Sequence, residues 1–398
     1  EEITAYESAC RLDPTLRAAR LNLCKALIEF GDVPRSAAEV DRALALFAGD
    51  ADFLGQCART WESAGEGARA QALLERAVEV EPSAAVWRND LGRILFQQGR
   101  DALAREQFQF TVRAQPDWAE AWVNLGAATA EPGQAIAHFE RALKIDPFCA
   151  QAHQNLALNC LAQGDLHRGW NEWSWRLRDA ELYKISKAYD WIALWQGEDL
   201  RGKTLLVHPE QGIGEEILFA SCISDLSAGG VRGIVQCDRR LAPLFARSFP
   251  DVTVHAGDRY EDGGWAKELG NVYRRAPGGT LPQYLRTRVA DFPQRAHLRA
   301  DNGGVTTWRY RLAELGTELK VGICWRGGAG GRRSVMKSSA LVDWLPILKT
   351  AGVRFINLQY AALPHERRQI AQEADGWATV FHDVDLFNDI DETAALVS

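Results

Sequence analysis

Residues 85–118 read AVWRNDLGRILFQQGRDALAREQFQFTVRAQPDW, and the chain on either side repeats their plan. Pro82 and Pro116 stand 34 apart, and so do Gly31, Gly65 and Gly99, Leu91 and Leu125, and Ala43 and Ala77. Self-similarity at a fixed period of this length marks an array of supersecondary units. Within residues 85–118, Leu91, Gly92 and Leu95 precede Gly99, and Ala104 and Phe108 follow it at helical spacing. That arrangement describes two helices joined by a glycine turn. Small residues fall where the two helices touch, and large ones where the pair meets its neighbour.

Outward from this unit the matches continue. Residues 17–50 carry Leu23, Cys24, Leu27, Gly31, Val40 and Ala43, and residues 51–84 carry Cys57, Ala58, Trp61, Gly65, Ala70, Leu74, Ala77 and Pro82. The unit 119–149, with Trp122, Leu125, Gly126, Phe139, Ala142 and Pro147, is three residues shorter, and Glu131-Pro132-Gly133 tightens its turn. A last unit begins at Ala150 and holds Leu156, Ala157, Gly164 and Trp173, while residues 2–14 supply only the second helix of an earlier repeat. The pattern resembles the tetratricopeptide repeat. The resemblance implies an α-solenoid over residues 1–178, a half repeat plus five repeats, stacked into a superhelix with a concave groove. Because the chain opens at Glu1 in mid-repeat, further repeats upstream are expected.

Asn22, Gln56, Asp90, Asn124 and Asn155 share one offset in successive first helices, spaced 34, 34, 34 and 31. Carboxamides there would face the groove and hold a peptide backbone through paired donor and acceptor contacts. The arrangement is similar to the asparagine ladder of O-linked N-acetylglucosamine transferases, which implies a polypeptide partner. Asn at this offset also fits ordinary repeats that bind nothing there.

The chain has 398 residues, enough for two or three domains at roughly 150 residues each. Its 46% hydrophobic and 25% charged residues belong to a folded protein and exclude a disordered one. A net charge of −7 argues against loose binding to nucleic acid or anionic membrane. No apolar run approaches the ~18–20 residues of a transmembrane segment. Eight scattered cysteines, with no C-x-x-C, read as reduced thiols of a cytoplasmic protein.

After Gly164 the pattern changes. Trp170, Trp173 and Trp175 fall within six residues and suggest a large apolar contact, and Trp191 and Trp195 follow in a junction over residues 179–202; these tryptophans would dock the array on the next domain. From residue 203 short apolar runs alternate with helical ones. Strands are expected at Lys203–His208, Gly233–Cys237 and Val252–His255, and helices at Glu215–Leu226 and Arg239–Phe249. A connecting helix over 305–316 leads to strands at Leu319–Trp325, Arg354–Gln359 and Thr379–Phe381, with helices at Leu341–Leu348 and Pro364–Glu373. This alternation implies parallel sheets covered on both faces, in two α/β units, 203–300 and 301–398, with a cleft between them.

Three strand ends carry candidate chemistry. His208-Pro209-Glu210-Gln211-Gly212-Ile213-Gly214-Glu215-Glu216 runs from a strand into a helix, and a carboxylate there is placed to take a proton from a hydroxyl nucleophile. Glu215 and Glu216 fit equally the simpler role of first-turn acids favoured by the helix dipole. Val321-Gly322-Ile323-Cys324-Trp325-Arg326-Gly327-Gly328, followed by Ser334 and Lys337, combines glycines with the cations and hydroxyl that suit a diphosphate. It matches neither a P-loop nor a dinucleotide fingerprint. Phe355–Tyr360 reads as a strand ending in polar residues, Gln359 among them, at the same edge.

Together these segments resemble bacterial tetratricopeptide-repeat glycosyltransferases, whose catalytic half is similar to the heptosyltransferases and has the two-domain GT-B fold. The resemblance implies an α plus α/β chain with an incomplete second Rossmann-like half. It places the acceptor loop at Glu210, Gln211, Gly212 and Gly214, with Glu215 as catalytic base. Donor phosphates would lie against Trp325, Arg326, Gly327, Gly328, Ser334, Lys337 and Gln359. A nucleotide-sugar is implied as co-substrate, with no metal and no other cofactor. Two departures stand out. Glu215 replaces the family's Asp, one methylene further out, and the family continues beyond Ser398 into a His- and Gly-containing helix start that binds the diphosphate. The rival readings are a repeat scaffold with an inactive transferase-like half, and a glycan-binding module that performs no transfer.

Overall fold

Through its first 162 residues the chain is mostly helical, and a glycine or proline follows most of the helix ends. In the computed structural model, which describes residues 1–327, 337–360, 378–379, 381 and 383–398, α1 (Glu2–Leu12) precedes four helix pairs. These are α2 (Arg17–Glu29) with α3 (Val33–Phe47), α4 (Ala51–Ser63) with α5 (Gly67–Val80), α6 (Ala85–Gln97) with α7 (Asp101–Ala114), and α8 (Ala119–Ala127) with α9 (Pro132–Ile145). Then come α10 (Ala150–Ala162), α11 (Leu166–Trp173) and α12 (Ala180–Lys187). Among the described residues, one helix and five helix pairs thus precede α12.

The periodic glycines are turn residues. Gly31, Gly65, Gly99 and Gly164 have φ of +88°, +79°, +77° and +81°, a left-handed conformation in which any Cβ is strained. The short fourth pair lacks such a glycine. There the Glu131 carboxylate accepts the Gly133 and Gln134 N–H groups at 2.8 and 2.6 Å, and Pro132 starts α9. A second periodic device is invisible to hydropathy. Arg20 Nε, Arg88 Nε and Trp122 Nε1 donate to the carbonyls of Pro14, Pro82 and Pro116, six residues earlier, at 2.7, 2.8 and 2.9 Å. His153 Nε2 lies 3.0 Å from the Pro147 carbonyl in the same relation. Each bond satisfies a carbonyl in the turn that precedes a repeat.

Helices approach closely because glycine faces a ring. A Cβ on Gly92 would lie 2.6 Å from the Phe108 ring, and one on Gly126 would lie 2.5 Å from Phe139. Phe53, Leu54, Cys57, Ala58, Trp61, Ala70, Leu74 and Ala77 bury a continuous core with these pairs.

The chain divides into two compact units, Glu1–Asn159 and Cys160–Ser398. The division falls before the 178/179 boundary expected from sequence, so α11 and the tryptophan-rich segment count with the α/β region. Trp170 Nε1 donates to the Arg286 carbonyl at 2.9 Å, and buried Trp195 packs against Tyr284. The second unit carries β1 (Thr204–His208), α13 (Ile213–Phe219), α14 (Ile223–Ala228), β2 (Arg232–Cys237), α15 (Ala242–Ser248), β3 (Thr253–Ala256), β4 (Arg274–Pro277) and α16 (Leu281–Leu285). After α17 (Asn302–Ala313) come β5 (Leu319–Ile323), β6 (Val353–Asn357) and β7 (Ala378–Thr379). Two sheets, ordered β3-β2-β1-β4 and β5-β6-β7, are parallel at every described pairing.

Three features depart from expectation. The Glu215–Leu226 helix is broken by a 3-10 turn at Ala220–Cys222. Strand β4 was not anticipated, because Arg274-Arg275-Ala276-Pro277 reads as a polar loop. Arg275 is nevertheless buried: it pairs with Asp190 at 2.7 Å and donates to the Ile192 carbonyl at 3.0 Å, while the Ala193 carbonyl and Trp195 N–H bond the β4 edge. The third is a closing helix, Ile390–Leu396, capped by Asp389 and tied to α17 by Trp308 Nε1 on Glu392 at 2.9 Å. The helix expected at Pro364–Glu373 lies outside the described residues, as does Val380 of the expected Thr379–Phe381 strand. Among the described residues no helix is long and apolar enough to cross a membrane.

Replacing Gly92 by Ala separates two effects of opposite sign. Helix propensity alone raises stability by about 1 kcal/mol, whereas forcing a methyl into Phe108 costs about 1–3 kcal/mol. We expect net destabilisation in urea unfolding, with Gly67→Ala, where a Cβ meets nothing within 4 Å, neutral or stabilising as the control.

Candidate functional site

The five groove residues share an offset but not an environment. Asn22 and Gln56 are exposed and line, with Leu21, Lys25, Arg59, Thr60 and Ser63, an open concavity of about 380 Å³. Asp90 is 2% exposed, and its carboxylate is taken by Arg59 at 2.6 Å and Arg93 at 3.3 Å. It is an internal ion-pair partner here, because a carboxylate cannot be buried without cations. Asn124 Nδ2 donates to Asn89 Oδ1 at 3.1 Å, and Asn155 accepts from Gln151 at 3.3 Å. The open stretch is therefore the Asn22–Gln56 step. Its basic residues were missed, although Lys25, Arg59 and Arg93 recur at 34-residue spacing three positions beyond the ladder.

At the carboxyl end of β1, His208 is buried and stacked on Tyr189 with ring centres 4.9 Å apart. Burial drives its pKa down to about 3, so the ring is neutral. Glu210 does not face an open loop. Arg176, from the tryptophan-rich segment, donates through Nη2 to both its oxygens at 3.0 and 2.9 Å, and the pair is 2% and 4% exposed at its side chains. Gly279 N–H adds a third bond at 3.0 Å. This pair pins the loop that launches α13.

Glu215 turns back on its own helix. Its carboxylate accepts the Gly212 N–H at 3.2 Å, and the Gln211 amide, oriented to donate, reaches its two oxygens at 2.5 and 2.7 Å. A Cβ on Gly212 or Gly214 would meet nothing within 4 Å, and neither has a left-handed φ, so packing does not explain these glycines. Glu216 points the other way, across the sheet end, and accepts the Asp238 N–H beyond β2 at 2.8 Å. Burial, aided by the neighbouring Asp238 charge, pushes its pKa up to about 7, against the opposing pull of the Asp238 N–H bond and of Arg259 and Arg240. Arg259 also donates to the Gln211 carbonyl at 2.6 Å.

At the end of β5 the loop is organised by Gln359. Its Oε1 accepts the Trp325 N–H at 3.2 Å and the Arg326 N–H at 2.8 Å, while its own N–H is held by Asn357 Oδ1 at 2.8 Å. These two amides are thereby engaged within the protein. Trp325 is buried, Arg326 and Gly327 are half-buried, and Lys337 is exposed. Ser338 Oγ accepts the Gly327 N–H at 3.3 Å, and Ser339 N–H bonds the Trp325 carbonyl at 2.9 Å. Gly328 and Ser334 lie outside the described residues. Asn357 and Ser338 escaped sequence reasoning because their work is done by loop closure.

Arg240 joins the two sheet ends. It forks onto Asp238 at 2.9 and 2.8 Å, donates to the Phe387 carbonyl at 3.1 Å, and lies 4.9 Å from the Phe387 ring centre. Phe387 in turn packs on Tyr360, just past β6, with ring centres 5.8 Å apart.

Residues 62–117 match the family described as Tetratricopeptide repeat. The chain is 33% identical over 354 residues to Protein FlbA of Caulobacter vibrioides, covering 81% of this chain and 57% of that protein. It thus spans little more than half of that relative's length. Similar solved structures include YrrB, described as a TPR protein with an unusual peptide-binding site, at 18% identity, 44% of this chain, 91% of that chain and TM-score 0.37. MamA from Desulfovibrio magneticus RS-1 matches at 17% identity, 41% of this chain, 92% of that chain and TM-score 0.35. The first unit is a helical solenoid like that of tetratricopeptide repeats, followed by a smaller α/β region with parallel sheets.

Two outcomes test this geometry. Glu210→Ala strands a buried guanidinium and should lower stability by roughly 3–5 kcal/mol in chemical denaturation. For Glu216 the folded pKa, about 7, lies above the ordinary 4.5, so the native state binds the proton more tightly than the unfolded chain. Stability should therefore fall as pH rises through that window. Glu216→Gln should flatten the slope in unfolding titrations run from pH 5 to 8.

Proposed function

We propose that this chain is part of a cytoplasmic glycosyltransferase that moves a sugar from a nucleotide-sugar to a polypeptide held by its repeats. The observation that carries the reading is the pair of parallel sheets in series, each opening at strand carboxyl ends into a polar, glycine-containing loop. Ligands of open parallel sheets lie at those ends. The first loop brings carboxylates, Glu215 and Glu216, suited to deprotonating an acceptor. The second brings Arg326 and Lys337 beside Gly327, cations suited to the charge that grows on a departing diphosphate. In this reading they do so without a metal. The Asn22–Gln56 concavity, with amides that both donate and accept, suits the backbone of an extended acceptor.

A second reading, an interaction scaffold with an inactive transferase-like half, has its own observation: the Glu215 carboxylate is engaged in capping its helix. Calorimetry of the full-length protein with UDP-, GDP-, ADP- and CMP-sugars separates the two. We expect one nucleotide class to bind, Arg326→Ala to abolish binding, and Glu215→Gln to keep it. If no nucleotide-sugar binds, the transferase reading fails and the scaffold takes its place.

A further inference from the structure

We propose that Glu216, and not Glu215, is the catalytic base that accepts the acceptor's proton; the inference rests on the transferase reading above.

The two carboxylates point in different directions. Consecutive residues in a helical first turn project about 100° apart, so only one of them faces a given ligand. Glu215 faces inward along its own chain, with the Gly212 N–H and the Gln211 amide on its oxygens. A carboxylate so engaged holds its helix start in place and does not reach the sheet end. Glu216 crosses to the end of β2 and holds a single described backbone bond, from Asp238. It remains half-buried, neither sealed in the core nor open to bulk water.

Its position matters as much as its freedom. Glu216 sits where the carboxyl ends of β1 and β2 meet Arg240, the residue that reaches across to Phe387 and, through it, to Tyr360 at the end of β6. Arg240, a charged neighbour of Glu216, thus links the end of the first sheet to the segment that packs on the end of the second. The charged and titratable groups around it are Asp238 and Arg240 beyond β2, Cys237 at the β2 end, Arg259 from the loop after β3, and neutral His208 from β1. A carboxylate held near neutrality by partial burial suits a base working at physiological pH.

The step balances simply. The acceptor oxygen bonds the anomeric carbon as its proton passes to a Glu216 oxygen. The bond from that carbon to the diphosphate oxygen breaks, and its electron pair leaves on the nucleotide. Glu216 then releases the proton to solvent.

The test compares Glu216→Gln with Glu215→Gln in the full-length protein, following nucleotide release from whichever of the UDP-, GDP-, ADP- and CMP-sugars binds, from pH 5 to 9. Glutamine retains an acceptor for the Asp238 N–H, so the fold is kept. We expect Glu216→Gln to lower kcat at least roughly 100-fold, leave KM within about threefold, and erase the acid limb of the pH profile. Glu215→Gln should keep more than about a tenth of the rate. Comparable loss in Glu215→Gln with a near-normal rate in Glu216→Gln overturns the assignment, and so does an acid limb that survives in Glu216→Gln. Nucleotide-sugar bound by the wild type but never released at any pH also overturns it while leaving donor binding intact. Failure to bind at all strikes the transferase reading itself.

Discussion

The Arg176–Glu210 pair is the constraint on which the candidate site depends. Both side chains are almost wholly buried, and such charges persist only when their hydrogen bonds are met. Here they are: Arg176 also donates to Thr280 Oγ1 at 3.1 Å and to the Trp173 carbonyl at 3.0 Å, and Glu210 takes the Gly279 N–H. One bidentate contact thus fixes the loop after β1, the turn after β4 and the tryptophan-rich segment as a single piece. The start of α13, with its two carboxylates, inherits its position from that piece.

From this anchoring the two carboxylates acquire different chemistry. The loop places Glu215 under its own helix start, where the Gly212 N–H and the Gln211 amide occupy its oxygens. It leaves Glu216 to reach the β2 end, where burial raises its proton affinity. Adjacent residues of one type thus have different partners: one caps its own helix and the other reaches the neighbouring strand end. Arg240 completes the arrangement by drawing the segment around Phe387 against the first sheet. In the solenoid a similar division operates: Asp90 is absorbed into an ion pair, while Asn22 and Gln56 remain open to a ligand.

The solenoid was legible in sequence because its signals are local and repeated. Gly31, Gly65 and Gly99 recur for one reason, a left-handed turn, and Gly92 and Gly126 recur because rings pack on them. Strands β1, β2, β3, β5 and β6 announced themselves as short apolar runs. Strand β4 did not, since the burial of Arg275 depends on Asp190, a partner 85 residues away in the chain. For the same reason Glu210 looked like a loop residue and Gln359 like a ligand contact: each is committed to partners that only the fold brings near. Which of Glu215 and Glu216 stays available was likewise beyond reach of a motif, because it depends on the path of two side chains leaving one helical turn.

The central claim is that the loops after β1 and β5 serve one reaction between a nucleotide-sugar and an acceptor. Hydrogen–deuterium exchange on the full-length protein, with and without the nucleotide-sugar it binds, reads this directly. The account predicts slowed exchange in both loops, around Gln211–Glu216 and around Cys324–Gly327, on addition of the one ligand. Protection confined to the repeats, or absent from both loops while the ligand is bound, would contradict it.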